Sequence, residues 1–180
     1  LLALCALVAI SGDSFSQLQV TANNNPATLA QTLAGPGVTI SGATMNCPAG
    51  ASGTFVGSAS NIGVASGVIL TSGQVTVAPG PNTISSAGQN NGVIYNDPQL
   101  IALDPTAYFD PCILEFTAVP SCSTLSFTFV FGSEEYHDYV NTTCNDVFGI
   151  FVNGPNPSGP AYTGYNMALL PATTIPVTIN

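Results

Sequence analysis

Hydrophobic and polar positions alternate most clearly in the second half of the chain. In residues 125–131 (LSFTFVF), large apolar side chains recur at every second position, which is the period of a β-strand with one buried face. Residues 147–152 (VFGIFV) contain no polar side chain, as expected of a central strand that is covered on both sides. The pattern therefore predicts two core strands at these positions.

Shorter strand-like runs lie between turn-forming residues in the rest of the chain. They are residues 17–20, 38–40, 53–56, 67–71, 75–77 and 113–118. Two short helices are predicted, at residues 27–33 and at residues 97–104, where Pro98 can take the first helical position after an Asp97 cap. Many short strands with one or two short helices predict a mainly β fold, a β-sandwich or a jelly roll.

The first residues have the pattern of an export signal. Residues 1–10 (LLALCALVAI) are all apolar, and small residues follow up to Ser16. This resembles the apolar core and cleavage site of a secretory signal peptide, so we expect residues 1–16 to be its remnant and residues 17–180 to form one domain. A run of this length is too short to cross a bilayer, and no membrane span is expected in the mature chain. A buried strand or helix is the alternative interpretation.

The charge balance removes several classes of partner. The chain has nine Asp and Glu residues, no Lys or Arg, and a formal net charge of −9. Nucleic acid is excluded as a partner, because binding phosphates requires basic side chains. Disorder is also excluded, since 46% of the residues are hydrophobic and nine are Phe. The carboxylates must find partners other than Lys and Arg.

The cysteines indicate an oxidising compartment. Without the first sixteen residues, which include Cys5, the chain has an even number of cysteines, and in an exported protein these predict two disulfides. A zinc site is disfavoured, because no CxxC pair exists and His137 is the sole histidine. Three pairings are open, among which a Cys112–Cys122 bond across a hairpin is plausible. The candidates are Cys47, Cys112, Cys122 and Cys144.

Candidate metal chemistry lies between the two predicted core strands. Four carboxylates cluster there, and no Lys or Arg can offset their repulsion. Carboxylate, amide and backbone oxygens are the ligands of Ca²⁺, so we predict a Ca²⁺ site of irregular type, with Asp138 as its most exposed member. The alternative is a solvated loop whose carboxylates cap backbone N–H groups. The predicted ligands are Glu134, Glu135, Asp138 and Asp146.

The same carboxylates suggest an enzymatic alternative. Glu134 or Glu135 could act as the acid of a glycosidase with Asp146 as its partner. The sequence has no GxSxG or HExxH motif, and no catalytic residue is assigned. We therefore expect a non-enzymatic domain and keep a carbohydrate-active hydrolase as the alternative.

Aromatic and amide side chains in this region form a candidate ligand surface for a glycan or a protein. Its members are Tyr136, Tyr139 and Asn141. Scattered tyrosines are more often half-buried rim residues, which is the structural alternative. Asn141 also begins an NTT glycosylation sequence, but the bacterial style of the signal peptide favours a simple turn there.

Several stretches resemble the choice-of-anchor L domain. They are GVILTSG (67–73), DPQLIAL (97–103), CILEFTAVP (112–120) and, above all, FVFGSEEYHDYVN (129–141) followed by NDVFGIFVNGP (145–155). The resemblance covers residues 17–180. It implies a β-rich domain of large secreted or surface proteins, notably of Bacteroidetes, whose members carry different C-terminal sorting or anchoring signals. It implies no catalytic residues.

Together these features predict an extracellular or cell-surface location and an adhesive or other binding role, with Ca²⁺ as a candidate stabiliser. We expect the chain to be truncated before a C-terminal anchor or sorting domain. A structural subunit of an extracellular fibre is a further alternative, suggested by the low charge and the many strand edges.

Overall fold

Antiparallel β-strands form most of the regular structure, as predicted. The computed structural model describes residues 17–80, 87–136 and 138–180. The predicted signal segment with Cys5, part of the predicted loop at residues 79–92, and His137 lie outside the described residues. Neither helix of the described residues approaches the roughly 20 apolar residues that a bilayer span requires, and no membrane-spanning helix is found among them.

The described strands form four small antiparallel sheets. One sheet has three strands in the order β1-β3-β4, and the others pair β2 with β5, β6 with β9, and β7 with β8. The mainly β prediction is confirmed. The strands are β1 Gln19–Ala22, β2 Val38–Asn46, β3 Ser52–Val56, β4 Ser66–Leu70, β5 Ile113–Pro120, β6 Val147–Phe148, β7 Phe151–Gly154, β8 Tyr162–Asn166 and β9 Val177–Thr178.

Both predicted helices are present, and each begins with a proline that directly follows the N-cap residue. Helix α1 (Pro26–Leu33) is capped by Asn25, whose Oδ1 accepts from Thr28 N at 3.0 Å. It packs against β2, β4 and β5, and its Leu29 and Ala30 are fully buried. Helix α2 (Pro98–Leu103) is capped by Asp97, as the sequence predicted.

The longest ladder, between β2 and β5, determines the one disulfide found in the described residues. Its last partners are Asn46 and Ile113, so the next residues outward, Cys47 and Cys112, lie opposite each other and form the bond. Cys122 and Cys144 are free thiols. The pairing of Cys112 with Cys122 is wrong, because the intervening residues form one continuous strand that holds its ends about 25 Å apart.

Two short apolar runs differ from their predictions. Residues 75–77, predicted as a strand, form a 3-10 helix (Val75–Val77). Val75 is fully buried and its N–H donates to Gly50 O at 2.9 Å, so a tertiary contact overrides the local β preference. The predicted central strand at residues 147–152 is divided into β6 and β7, which pair with different partners, β9 and β8.

The predicted core strand at residues 125–131 is also wrong. Residues 124–133, here named the unpaired segment, belong to no helix, turn or β-ladder. Phe129 and Phe131 pack on Phe148, with ring centroids 5.1 and 6.3 Å away, but Leu125 and Phe127 are 51% and 46% exposed. The alternation of apolar and polar residues shows which side chains share a face. A β-strand also requires backbone hydrogen bonds to a neighbouring strand, and no described residue forms such a ladder with this segment.

The disulfide should account for much of the stability, because it closes a loop across 65 residues of sequence. Replacing both Cys47 and Cys112 by Ser should lower the free energy of unfolding by about 2–4 kcal/mol, measured by urea denaturation. Cys122→Ser is the matched control and should change it by less than about 0.5 kcal/mol, since that thiol is exposed. Equal effects of the two changes would contradict this assignment.

Candidate metal and ligand site

The acidic loop, residues 133–146, connects the unpaired segment to β6. Ser133 joins its two ends, because Ser133 Oγ donates to Asp146 Oδ2 and accepts from Glu135 N at 3.0 Å. Turns follow at residues 134–136 and 138–142. One serine thus links the backbone of Glu135 to the carboxylate of Asp146, the last carboxylate of the loop.

The structure separates the four predicted ligands into an inner and an outer pair. Glu135 and Asp146 are half-buried, whereas Glu134 and Asp138 are exposed. Oε2 of Glu135 is buried and has no hydrogen-bond partner among the described residues. Burial raises the pKa of Glu135, and the nearby charge of Asp146 raises it further.

The inner pair is not by itself a complete metal centre. Within the described ranges, no group of three or more His, Cys, Asp or Glu side chains is arranged to hold a metal ion. Further ligands would have to be oxygens of other kinds, such as the Ser133 hydroxyl or backbone carbonyls. The Ca²⁺ site remains a prediction at Glu135 and Asp146.

The last residues of the chain hold the second half of the acidic loop in place. Asn180 Nδ2 donates to Cys144 O at 2.7 Å and Thr142 O at 3.1 Å, and its Oδ1 accepts from Asn141 N at 2.6 Å. Asn145 Oδ1 accepts the N–H groups of Ile179 and Asn180, both at 3.1 Å. Asn145 is therefore a structural link here, since its amide oxygen already binds two donors.

Asn145 also connects the acidic loop to the end of α2. Its Nδ2 donates to Asp104 Oδ2 at 2.7 Å, while Asp104 Oδ1 accepts from Thr106 N at 2.7 Å and from the Thr106 hydroxyl. The hydrogen bonds from Thr106 and Asn145 lower the pKa of Asp104. This carboxylate is stabilised by neutral donors rather than by a cation.

A buried carboxylate that the sequence analysis missed lies outside the loop. Asp110 is 5% exposed and has a positive φ of 48°. Its Oδ1 accepts from Val93 N at 2.6 Å, and its Oδ2 accepts from Asn91 N at 2.8 Å and Gly92 N at 3.3 Å. Three backbone N–H groups satisfy the charge and fasten residues 91–93 to Asp110, which lies two residues before Cys112 in the chain.

One sequence signal could have found these positions. Three aspartates of the described residues accept the backbone N–H groups named above or cap α2, and each precedes a proline; Asp before Pro is typical of turns and helix starts. They are Asp97, Asp104 and Asp110.

The candidate ligand surface is partly exposed. Tyr136 is 69% exposed and Asn141 is also exposed, with a φ of 62°, whereas Tyr139 is half-buried. The Tyr139 N–H donates to Glu135 O at 2.9 Å, and its carbonyl accepts from Thr142 N at 3.1 Å. Tyr139 thus belongs to the turn that presents Tyr136 and Asn141, and the turn expected at the NTT sequence is confirmed.

Comparison with known proteins identifies the family. The family model of the choice-of-anchor L domain matches residues 18–180. The chain belongs to the choice-of-anchor L family. No curated protein and no solved structure matches it. The resemblance seen in the sequence is confirmed, and membership makes this choice-of-anchor L domain a surface-associated module.

The stabilising effect of the three N–H groups that donate to the Asp110 carboxylate can be tested by substitution. Asp110→Asn should destabilise the domain by about 2 kcal/mol, because an amide nitrogen would replace one of two accepting oxygens and face N–H donors. Asp97→Asn is the matched control: only its Oδ1 accepts, from Gln99 N and Leu100 N, and Asn caps helices as well as Asp does. Urea denaturation should show a change below about 0.5 kcal/mol for the control, and equal losses would contradict the assignment.

Proposed function

We propose that this domain is a non-enzymatic binding module of a secreted or cell-surface protein, with an acidic loop that binds Ca²⁺ and presents the ligand surface. Family membership supports the surface location. The observation that carries the metal proposal is the buried Oε2 of Glu135, which has no hydrogen-bond partner among the described residues and lies near Asp146.

The chain has no Lys or Arg that could offset the charge of a buried carboxylate. A buried carboxylate oxygen without a donor is destabilising, and a second carboxylate nearby adds repulsion. Two carboxylates outside the loop, Asp104 and Asp110, are stabilised by N–H donors. Oε2 of Glu135 has no such donor among the described residues, and Ca²⁺ prefers carboxylate oxygens of this kind.

The outer side of the same loop carries exposed side chains that suit ligand binding. Tyr136 is the most exposed of the large apolar side chains in the described residues, and the exposed Asn141 lies in the following turn. An exposed aromatic ring beside amide and carboxylate groups suits the stacking and hydrogen bonding by which sugars and polar protein surfaces are recognised. We propose a glycan or a protein as the ligand.

The metal proposal predicts opposite effects of Glu135→Gln with and without Ca²⁺. In EDTA the variant should have a higher Tm than the wild type, because it removes a charge whose pKa is raised in the fold. Above pH 7 the gap should persist, and it should close as pH falls below the raised pKa, where Glu135 becomes protonated. Saturating Ca²⁺ should raise only the wild-type Tm.

Calorimetry with Ca²⁺ should show binding to the wild type and none to Glu135→Gln. Glu115→Gln is the matched control, since it removes the same charge from an exposed position on β5 and should bind Ca²⁺ normally. A wild-type protein that gives no binding heat, and whose Tm is the same in EDTA and Ca²⁺, would abolish the metal proposal.

The ligand proposal is tested on glycan arrays and by binding to host or bacterial cells. Tyr136→Ala should weaken binding about tenfold, by loss of the exposed ring, while Tyr165→Ala, which removes a ring 48% exposed on β8, should bind as the wild type. Equal binding by both variants would place the ligand elsewhere.

The hydrolase alternative has one supporting observation, the raised pKa of Glu135 beside a second carboxylate, which is a feature of acid–base pairs. The array experiment also decides this alternative. A bound glycan that is recovered intact supports a binding module, whereas cleavage that is lost in Glu135→Gln supports the hydrolase.

A further inference from the structure

The unpaired segment has no strand partner among the described residues, and part of its apolar face is exposed. No backbone–backbone hydrogen bond joins residues 124–133 to another described residue. Residues 125–128 are all exposed, including Leu125 and Phe127. Phe129 and Phe131 fix the other end of the segment on Phe148. An alternating apolar stretch whose backbone lacks a strand partner can pair with another strand.

The sequence of the segment is nearly symmetric about Thr128. Antiparallel pairing of two copies about that residue places Phe127 opposite Phe129, Leu125 opposite Phe131 and Ser126 opposite Val130. Large apolar side chains then face large apolar side chains on one side, and aromatic pairs across strands stabilise a ladder. The exposed Phe127 of each copy would join the aromatic rings that already pack on Phe148 in the other.

The charges favour this arrangement over other ways of joining two copies. Residues 116–133 contain no charged side chain, and in the antiparallel register Glu134 lies opposite Cys122. Parallel, in-register pairing would instead place Glu134 on Glu134 and Glu135 on Glu135, without any Lys or Arg to offset the repulsion. Repulsion between carboxylates is therefore avoided in the antiparallel pair, whereas it would destabilise a fibre in which many copies stack parallel and in register.

We propose that two copies of this chain pair antiparallel through residues 125–131, about a two-fold axis at Thr128. A two-fold contact uses the same surface on both copies, so the assembly closes as a dimer. A short two-stranded contact buries less than the roughly 1,200 Å² of a stable interface, so the dimer forms at high micromolar concentration or when the domains are held together on a surface. The pairing does not depend on the proposed Ca²⁺ site.

Cysteine cross-linking tests the axis directly. Only a residue on a two-fold axis meets its own copy, so Thr128→Cys should give a disulfide-linked dimer under mild oxidation with diamide. Ser126→Cys is the matched control, because it lies opposite Val130, and should cross-link at least tenfold more slowly. Both variants are made in the full chain with Cys5, Cys122 and Cys144 changed to Ser, and both are oxidised in EDTA and in Ca²⁺.

Analytical ultracentrifugation of the uncross-linked chain supplies a second measurement. The wild type should show a monomer–dimer equilibrium, and Phe127→Asp should raise the dissociation constant at least tenfold, with circular dichroism confirming that the variant is folded. The proposal is overturned by a wild type that stays monomeric at 500 μM, by higher polymers, or by equal cross-linking of the two cysteine variants. Dimerisation in EDTA keeps this result separate from the metal proposal.

Discussion

The structure depends on the way in which carboxylates are stabilised in a chain that has no Lys or Arg. Residues 17–180 contain eight Asp and Glu side chains, all within residues 97–146. Asp97, Asp104 and Asp110 accept backbone N–H groups; those on Asp97 start α2, and those on Asp110 fasten residues 91–93. Asp104 also accepts from the side-chain amide of Asn145, which connects the end of α2 to the acidic loop. Neutral donors therefore perform the positioning that salt bridges perform in many other domains.

Glu135 differs from these aspartates, because one of its carboxylate oxygens has no described N–H donor, and for that reason the candidate site is placed there. Its Oε2 is buried without a described donor, and the Ser133 hydroxyl that joins Glu135 N to Asp146 keeps the two carboxylates near each other. Such an arrangement is destabilising in isolation, because burial and a like charge both oppose ionisation. Such local departures are common at functional sites, which is why the proposed site is placed here, next in sequence to the exposed Tyr136.

The uncharged parts of the chain have a different consequence. Residues 17–96 and 147–180 carry no charged side chain, so the edges of the small sheets lack the lysines that commonly prevent association between strands. Which strands of two copies can pair then depends on the fit of their side chains and on repulsion between the few carboxylates that lie close to them. At residues 125–131 both factors favour the same antiparallel register, so the absence of Lys and Arg bears on the proposed pairing of two copies as well as on the proposed Ca²⁺ site.

Local patterns in the sequence were sufficient for the class of fold, for both helices with the Asp97 cap, for most short strands and for the family. These features depend on neighbours in the chain, such as proline after an Asx residue or alternation over a few positions. The tertiary structure alone decided that Cys47 bonds to Cys112 and that Val75 lies in a 3-10 helix. It also decided that residues 125–131 have no strand partner among the described residues, and that Glu135 and Asp146 are the inner carboxylates. Each of these features depends on the register of a ladder or on contacts between residues that are distant in sequence. Such long-range pairing produces no periodic pattern of residues that could be recognised in the sequence.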